Sequence, residues 1–295
     1  MYRTWVILRH TFTEAVVQPI YPLLVGLGCA ILIVFGLLPF FTLGEDTVMF
    51  KSVGLDVILL LVLIATLFAA SKSVFEEIED RTMLTLMSKP IHRWEVLLGK
   101  YFGIIAAALL AVVIMGAVIC LATYWRIPND YMLSTSSIDE RDLRTIWGYR
   151  MMHVSGLIPE LVLKWLEICV LAAVGVALST RVSLVVNLPV VILIYIAGNL
   201  TRFLFPLEGQ SIFAKAFAYL ATTALPYLEN FDLAGATLYS RLRMYQFAED
   251  QTALQLAVIW TYVAWAVGYA AVYVSLALSA GMWLFHNREL GGSEG

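Results

Sequence analysis

Phe75-Glu76-Glu77-Ile78-Glu79-Asp80-Arg81-Thr82, continuing as Met83-Leu84-Thr85-Leu86-Met87-Ser88-Lys89-Pro90-Ile91, separates two apolar stretches of this chain. On a helical wheel Val74, Phe75 and Ile78 fall on one side and Glu76, Glu77, Glu79 and Asp80 around the other, so the preceding apolar helix is expected to run into water as an acidic stalk. Glu77 stands four residues before Arg81, a favourable helical pair. Beyond Arg81 the phase breaks, because Met83, Leu84 and Met87 would land on the acidic side of a straight helix. A bend and a second short helix are therefore expected, with Asp80 or Thr82 capping its start and Pro90 discouraging continuation past Lys89. Such an elbow offers another protein a small apolar knob ringed by charge; the plainer alternative is a solvated loop.

Composition sets the surroundings of that elbow. Hydrophobic residues make up 61% of the 295 residues, charged residues 14%, and the mean hydropathy is +0.83, which is the profile of an integral membrane protein. A helix needs about 20 apolar residues to cross hydrocarbon, and six stretches qualify, at 20–41, 54–73, 97–124, 159–180, 184–204 and 258–285. Lipid satisfies no backbone polar group, and no alternating strand pattern occurs, so the fold class expected is all-α with six transmembrane helices in a single transmembrane domain, residues 1–295. The first apolar run begins late, is as long as a span and lacks an Ala-x-Ala site, so it reads as a retained anchor and not as a cleaved signal.

Orientation follows from the basic residues. With the N-terminus in the cytoplasm, the inner segments carry Arg3, Arg9, Lys72, Arg81, Lys89, Arg93, Lys100, Arg181 and Arg288, while the other ten of 19 spread over longer outer segments. Both termini are thus expected inside, with extracytoplasmic loops at 125–158 and 206–257. Within the latter, residues 212–225 are apolar but short, broken by Lys215 and bounded by Pro206 and Pro226, which suits a re-entrant or interfacial helix.

Before the first span, Trp5, Leu8, Phe12, Ala15 and Val16 share a helical face opposite Arg3, His10 and Glu14, so residues 1–18 read as a helix in the membrane interface. In the third span Gly99, Gly103, Ala107 and Ala111 recur every fourth residue, a stripe that lets another backbone approach, either from within the chain or from a second copy. Ala271, Ser275 and Ser279 form a similar stripe in the last span. Asp56, Lys164 and Glu167 lie near outer helix ends where snorkelling is cheap, and Lys164 and Glu167 are spaced to pair. Asn187 and Asn199 suit interhelical hydrogen bonds. Cys29, Cys120 and Cys169 fall inside spans as small packing residues, and His10, His92, His153 and His286 lack metal-ligand spacing and read as loop or interface residues.

The stretch Phe75 to Thr82, followed by Leu84, Leu86, Ser88-Lys89-Pro90-Ile91, Arg93, Glu95 and Leu98-Gly99-Lys100-Tyr101, resembles the first cytoplasmic loop of type 2, exporter-like ABC transporter permeases. Gln18-Pro19 after an interfacial helix, the run Phe40-Phe41-Thr42-Leu43-Gly44-Glu45-Asp46 and six spans with both ends inside are similar too. The resemblance implies a permease domain with a coupling loop at 74–96, in which Glu76, Glu77, Glu79 and Asp80 are stalk acids and Arg81, Thr82, Leu84, Leu86, Ser88 and Pro90 form the elbow that docks on a separate ATPase. Family loops often carry Gly where this chain has Arg81-Thr82-Met83, which implies a less sharp bend here. The implied partners are an ABC ATPase subunit, a second permease copy or a related permease, and membrane lipid, with no nucleic acid. The implied setting is a prokaryotic cytoplasmic membrane.

The chain carries no energy source of its own. No G-x-x-x-x-G-K-[ST] occurs, since Gly99-Lys100 is followed by Tyr101 and has no glycine five residues earlier. ATP and magnesium would be bound by the partner ATPase, leaving this chain without cofactor, metal or catalytic residues. Secondary transport is disfavoured by the lack of a mid-membrane series of ionisable groups. The competing classes are a membrane anchor or scaffold for cytoplasmic proteins and an intramembrane enzyme.

Overall fold

The computed structural model describes residues 2–38, 46–80, 92–132, 140–204, 225–233 and 252–286, and all regular structure among them is helical. Helix α1 (Tyr2–Val17) is followed at Gln18-Pro19 by α2 (Ile20–Leu37). Helix α3 (Asp46–Ala70) passes without a break into a π-helical stretch, Ser71–Glu76, and a closing turn, Glu77–Glu79. Two helices of 40 residues follow, α4 (Arg93–Met132) and α5 (Glu140–Ser179), then α6 (Leu184–Leu204), a 3-10 turn (Leu228–Phe231) and α7 (Thr252–His286).

Among the described residues, five helical stretches are long and apolar enough to cross a membrane: Ile20–Leu37, Thr47–Glu79, Arg93–Arg126, His153–Ser179 and Val258–His286. The sequence places a sixth span at 184–204. A helix forms there, Leu184–Leu204, and its stretch Leu184–Asn199 is apolar. Helices α4 and α5 also reach into residues 125–158, which the sequence reads as a loop. Charged residues end the apolar stretches there without ending the helices, and Pro159 is accommodated inside α5.

Helices α3 and α5 form the centre, whereas α2 and α7 each have only 22% of their apolar window buried, against 72% for α5. One cluster joins α3, α4 and α5 around Leu59, Ile104, Met115, Ile119 and Ala173; a second joins α3, α5, α6, the 3-10 turn and α7 through Leu67, Val170, Val191, Phe231 and Ala266.

Arginines close the helix ends, where the last carbonyls have no partner within their own helix. At the stalk end of the molecule, Arg93 Nη1 donates to the carbonyls of Phe285 (2.8 Å) and His286 (3.2 Å), its guanidinium lies 5.3 Å from the Phe285 ring centre, and Arg181 Nε donates to the Leu284 carbonyl at 3.1 Å. At the opposite end Arg126 Nη1 reaches the carbonyls of Phe35, Gly36 and Leu38 at 3.0, 3.1 and 2.9 Å, with the guanidinium over Phe50. These contacts place the start of α4 beside the end of α7, and the later part of α4 beside the end of α2 and the start of α3. Helix α6 runs between the same two levels: Asn187 donates to the Gly175 carbonyl (3.0 Å) and the Ser179 hydroxyl (2.8 Å) of α5, and Gly198 lies against Pro226 and Leu228.

Two expectations for polar residues change. His153, expected in a loop or at an interface, is buried with Nδ1 2.8 Å from Lys51 Nζ, an arrangement in which the imidazole nitrogen accepts from the ammonium. Lys164 and Glu167 do pair, at 3.2 Å, but inside the protein and not by snorkelling, because the turn at Leu228–Phe231 packs over this end of α5. Asn199 donates to the Tyr195 carbonyl of its own helix and sits beside Glu167.

Candidate functional site

Past the second span the helix continues to Glu79, the stretch called the stalk here, and its winding is unusual. In Ser71–Glu76 the backbone widens from α to π, a single-turn feature that recurs at functional positions. Val74 and Ile78 are buried and Phe75 is half-buried, as the wheel requires, while Glu76, Glu79 and Asp80 are exposed. The hydroxyls of Ser71 and Ser73 are buried without a hydrogen-bond partner, which costs on the order of 1–3 kcal/mol per unsatisfied group.

Glu77 differs from the other stalk acids. Its Oε1 lies 2.7 Å from Nζ of Lys100 on α4, and Lys100 is only 3% exposed. The same ammonium donates to the backbone carbonyl of Ser73. One cation thus bridges a carbonyl inside the π stretch and a carboxylate just beyond it, with Glu14 of α1 adding negative charge nearby. The sequence offered Arg81 as the partner of Glu77; Arg81, Thr82, Leu84, Leu86, Ser88 and Pro90 lie outside the described residues. Lys100 was missed because its partner is 23 positions away and no local period connects them. At the start of α4, His92 N–H donates to Glu95 Oε2 at 3.1 Å, half of a capping box, and Arg93 turns to the end of α7.

The small stripe of α4 is occupied from within the chain. A Cβ on Gly99 would come 2.8 Å from Ile7 Cγ2, and one on Gly103 only 2.7 Å from the Leu8 carbonyl oxygen, so α1 lies directly on these glycines. Farther along, Tyr21 donates its hydroxyl to the Ala107 carbonyl at 2.9 Å, and Ala111 is fully buried. The face of α1 that docks carries Ile7, Thr11, Phe12, Ala15 and Val16, with the Leu8 carbonyl against Gly103; Trp5, expected on the same face, points away and is exposed. By contrast the stripe of α7 is open, with Ser275 and Ser279 bonding back to the carbonyls of Ala271 and Ser275 (2.7 Å each).

A family model described as ABC-2 family transporter protein matches residues 42–290. The chain belongs to this family. None of the curated proteins compared with it matches. As an ABC-2 permease it is an integral, multi-pass membrane component of an ABC transporter, a class that associates with an ABC ATPase. The family match takes in α3, the stalk and α4 to α7, while α1, which covers Gly99 and Gly103, lies before it.

Proposed function

We propose that this ABC-2 permease is the membrane subunit of an ATP-driven exporter, in which a separate ATPase binds ATP and magnesium, closes on nucleotide, and drives the elbow at 81–90 so that the spans switch access from inside to outside. Six spans cross a prokaryotic cytoplasmic membrane with both termini inside. Two copies, or this chain and a related permease, work with two ATPase subunits, and the wide apolar surfaces left on α2 and α7 suit membrane lipid and that second permease. Force can pass only if the permease contacts each nucleotide state of the ATPase differently.

The observation that carries this reading is the stalk in its family context: three acids, Glu76, Glu79 and Asp80, stand exposed at the end of a membrane-length helix, immediately before the elbow. They are the acids offered to the ATPase, and Glu77 supports them from inside through Lys100. Replacing Glu76, Glu79 and Asp80 together by Lys should leave membrane insertion unchanged and reduce ATPase retained on the purified permease at least about tenfold, which corresponds to about 1.4 kcal/mol of binding. Full ATPase retention by the triple variant would remove these acids from the docking surface.

A further inference from the structure

We propose that Lys100 is a positioning residue that sets the winding of the hinge at Ser71–Glu76, and so the direction in which the coupling elbow points; this rests on the coupling role given above. Three observations meet at the hinge. The stretch is π-wound in the last turns before the elbow. The ammonium of a nearly fully buried lysine holds both the Ser73 carbonyl within that stretch and the Glu77 carboxylate after it. The hydroxyls of Ser71 and Ser73 are both buried and unpartnered within this one stretch, whereas Thr66 on the α-wound turn before it bonds back to the Val62 carbonyl.

A second winding is therefore available. Rewinding the π turn as α displaces the Ser73 carbonyl from Lys100. Because an α-helix advances about 100° and 1.5 Å per residue, removing the one-residue bulge turns everything beyond it by about 100°. Ile78, now buried, turns out. Lys100 also sits next to Gly99 and about one turn before Gly103, on the part of α4 clamped by α1, so its own position is fixed while the stalk moves. The ATPase, by gripping the elbow differently in each nucleotide state, selects between the two windings.

The test uses the full permease co-expressed with its cognate ATPase, with Cys29, Cys120 and Cys169 replaced by Ala and Ile78→Cys as the only thiol of the permease. The rate at which a membrane-impermeant maleimide labels the thiol introduced by Ile78→Cys is measured with ADP and with a non-hydrolysable ATP analogue. In the otherwise native background the rate changes severalfold between the two nucleotides. Lys100→Met abolishes that difference while the ATPase stays bound, and Lys100→Arg keeps it. Glu77→Gln, which preserves size and removes one of the two anchors, shrinks it, and carries the test if Lys100→Met does not reach the membrane. A Lys100→Met complex that is less heat-stable yet keeps the full nucleotide difference overturns the hinge and leaves Lys100 a packing residue. A native background with bound ATPase but no nucleotide difference overturns the hinge alone. Failure of the native permease to retain any ATPase overturns the coupling role and this proposal together.

Discussion

Arg126 shows how much a single residue can carry where water is scarce. The last carbonyls of α2 have no partner in their own helix, and one guanidinium nitrogen of Arg126 serves three of them while its plane covers Phe50. Because one nitrogen is shared, the three bonds do not add. Arg126→Ala is expected to destabilise the protein by about 2–3 kcal/mol, the range of one good charge-assisted bond, and to lower the thermal unfolding midpoint in detergent. Arg126→Lys keeps the charge but loses the planar fork and its ring contact, so about half the loss should remain. A midpoint unmoved by the alanine change would mean that the carbonyls find other donors and that the arginine is incidental.

At the scale of helices, the two small stripes separate packing within the chain from packing between chains. A methyl group at Gly103 meets the backbone of Leu8, which cannot rotate away, whereas at Gly268 on α7 nothing lies within 4 Å. Gly103→Ala should therefore loosen α1, costing about 1–3 kcal/mol as overpacking does, and increase protease cleavage within residues 2–17. Gly268→Ala should be neutral or slightly stabilising for the monomer, since it exchanges Gly for the best helix former. If Gly268→Ala instead weakens recovery of a permease pair in crosslinking while leaving the thermal midpoint unchanged, the open face of α7 is covered by the second copy.

The same stripes show what was legible in the sequence. The spacing of Gly99, Gly103, Ala107 and Ala111 announced a close approach, because helical period and residue size are local properties. Which helix approaches is a property of the fold, and α1 docks with Phe12, Ala15 and Val16 of the expected face together with Ile7 and Thr11, leaving Trp5 exposed. The stalk acids were readable for the same local reason. The Glu77 to Lys100 pair was not, since it depends on α3 and α4 lying side by side and on a π turn that shifts the phase of everything after it. Lys164 and His153 looked like polar ends exposed to headgroups because nothing in a linear pattern reveals that residues 225–233 fold back over α5, or that Lys51 meets His153 across two helices.

For the whole molecule, the arginine clamps and the stalk assign ends to every long helix, and those ends must face opposite sides of the membrane. Arg93, Arg181, Glu77 with Lys100, and the last turn of α7 share one end; Arg126, Phe50 and the end of α2 share the other. Nine basic residues fall on the first group of segments as the chain is read with its start inside, so the stalk end is expected in the cytoplasm. Trp94 and Trp125 sit near the two ends of α4 and both are exposed, at 50% and 71%, which makes them suitable single-cysteine reporters. In a background lacking Cys29, Cys120 and Cys169, an impermeant thiol reagent should label Trp94→Cys only in inside-out vesicles and Trp125→Cys only in right-side-out cells. Labelling of both from one side would break the single passage of α4 through the bilayer, and the reversed pattern would put the acidic stalk outside, beyond the reach of any cytoplasmic ATPase.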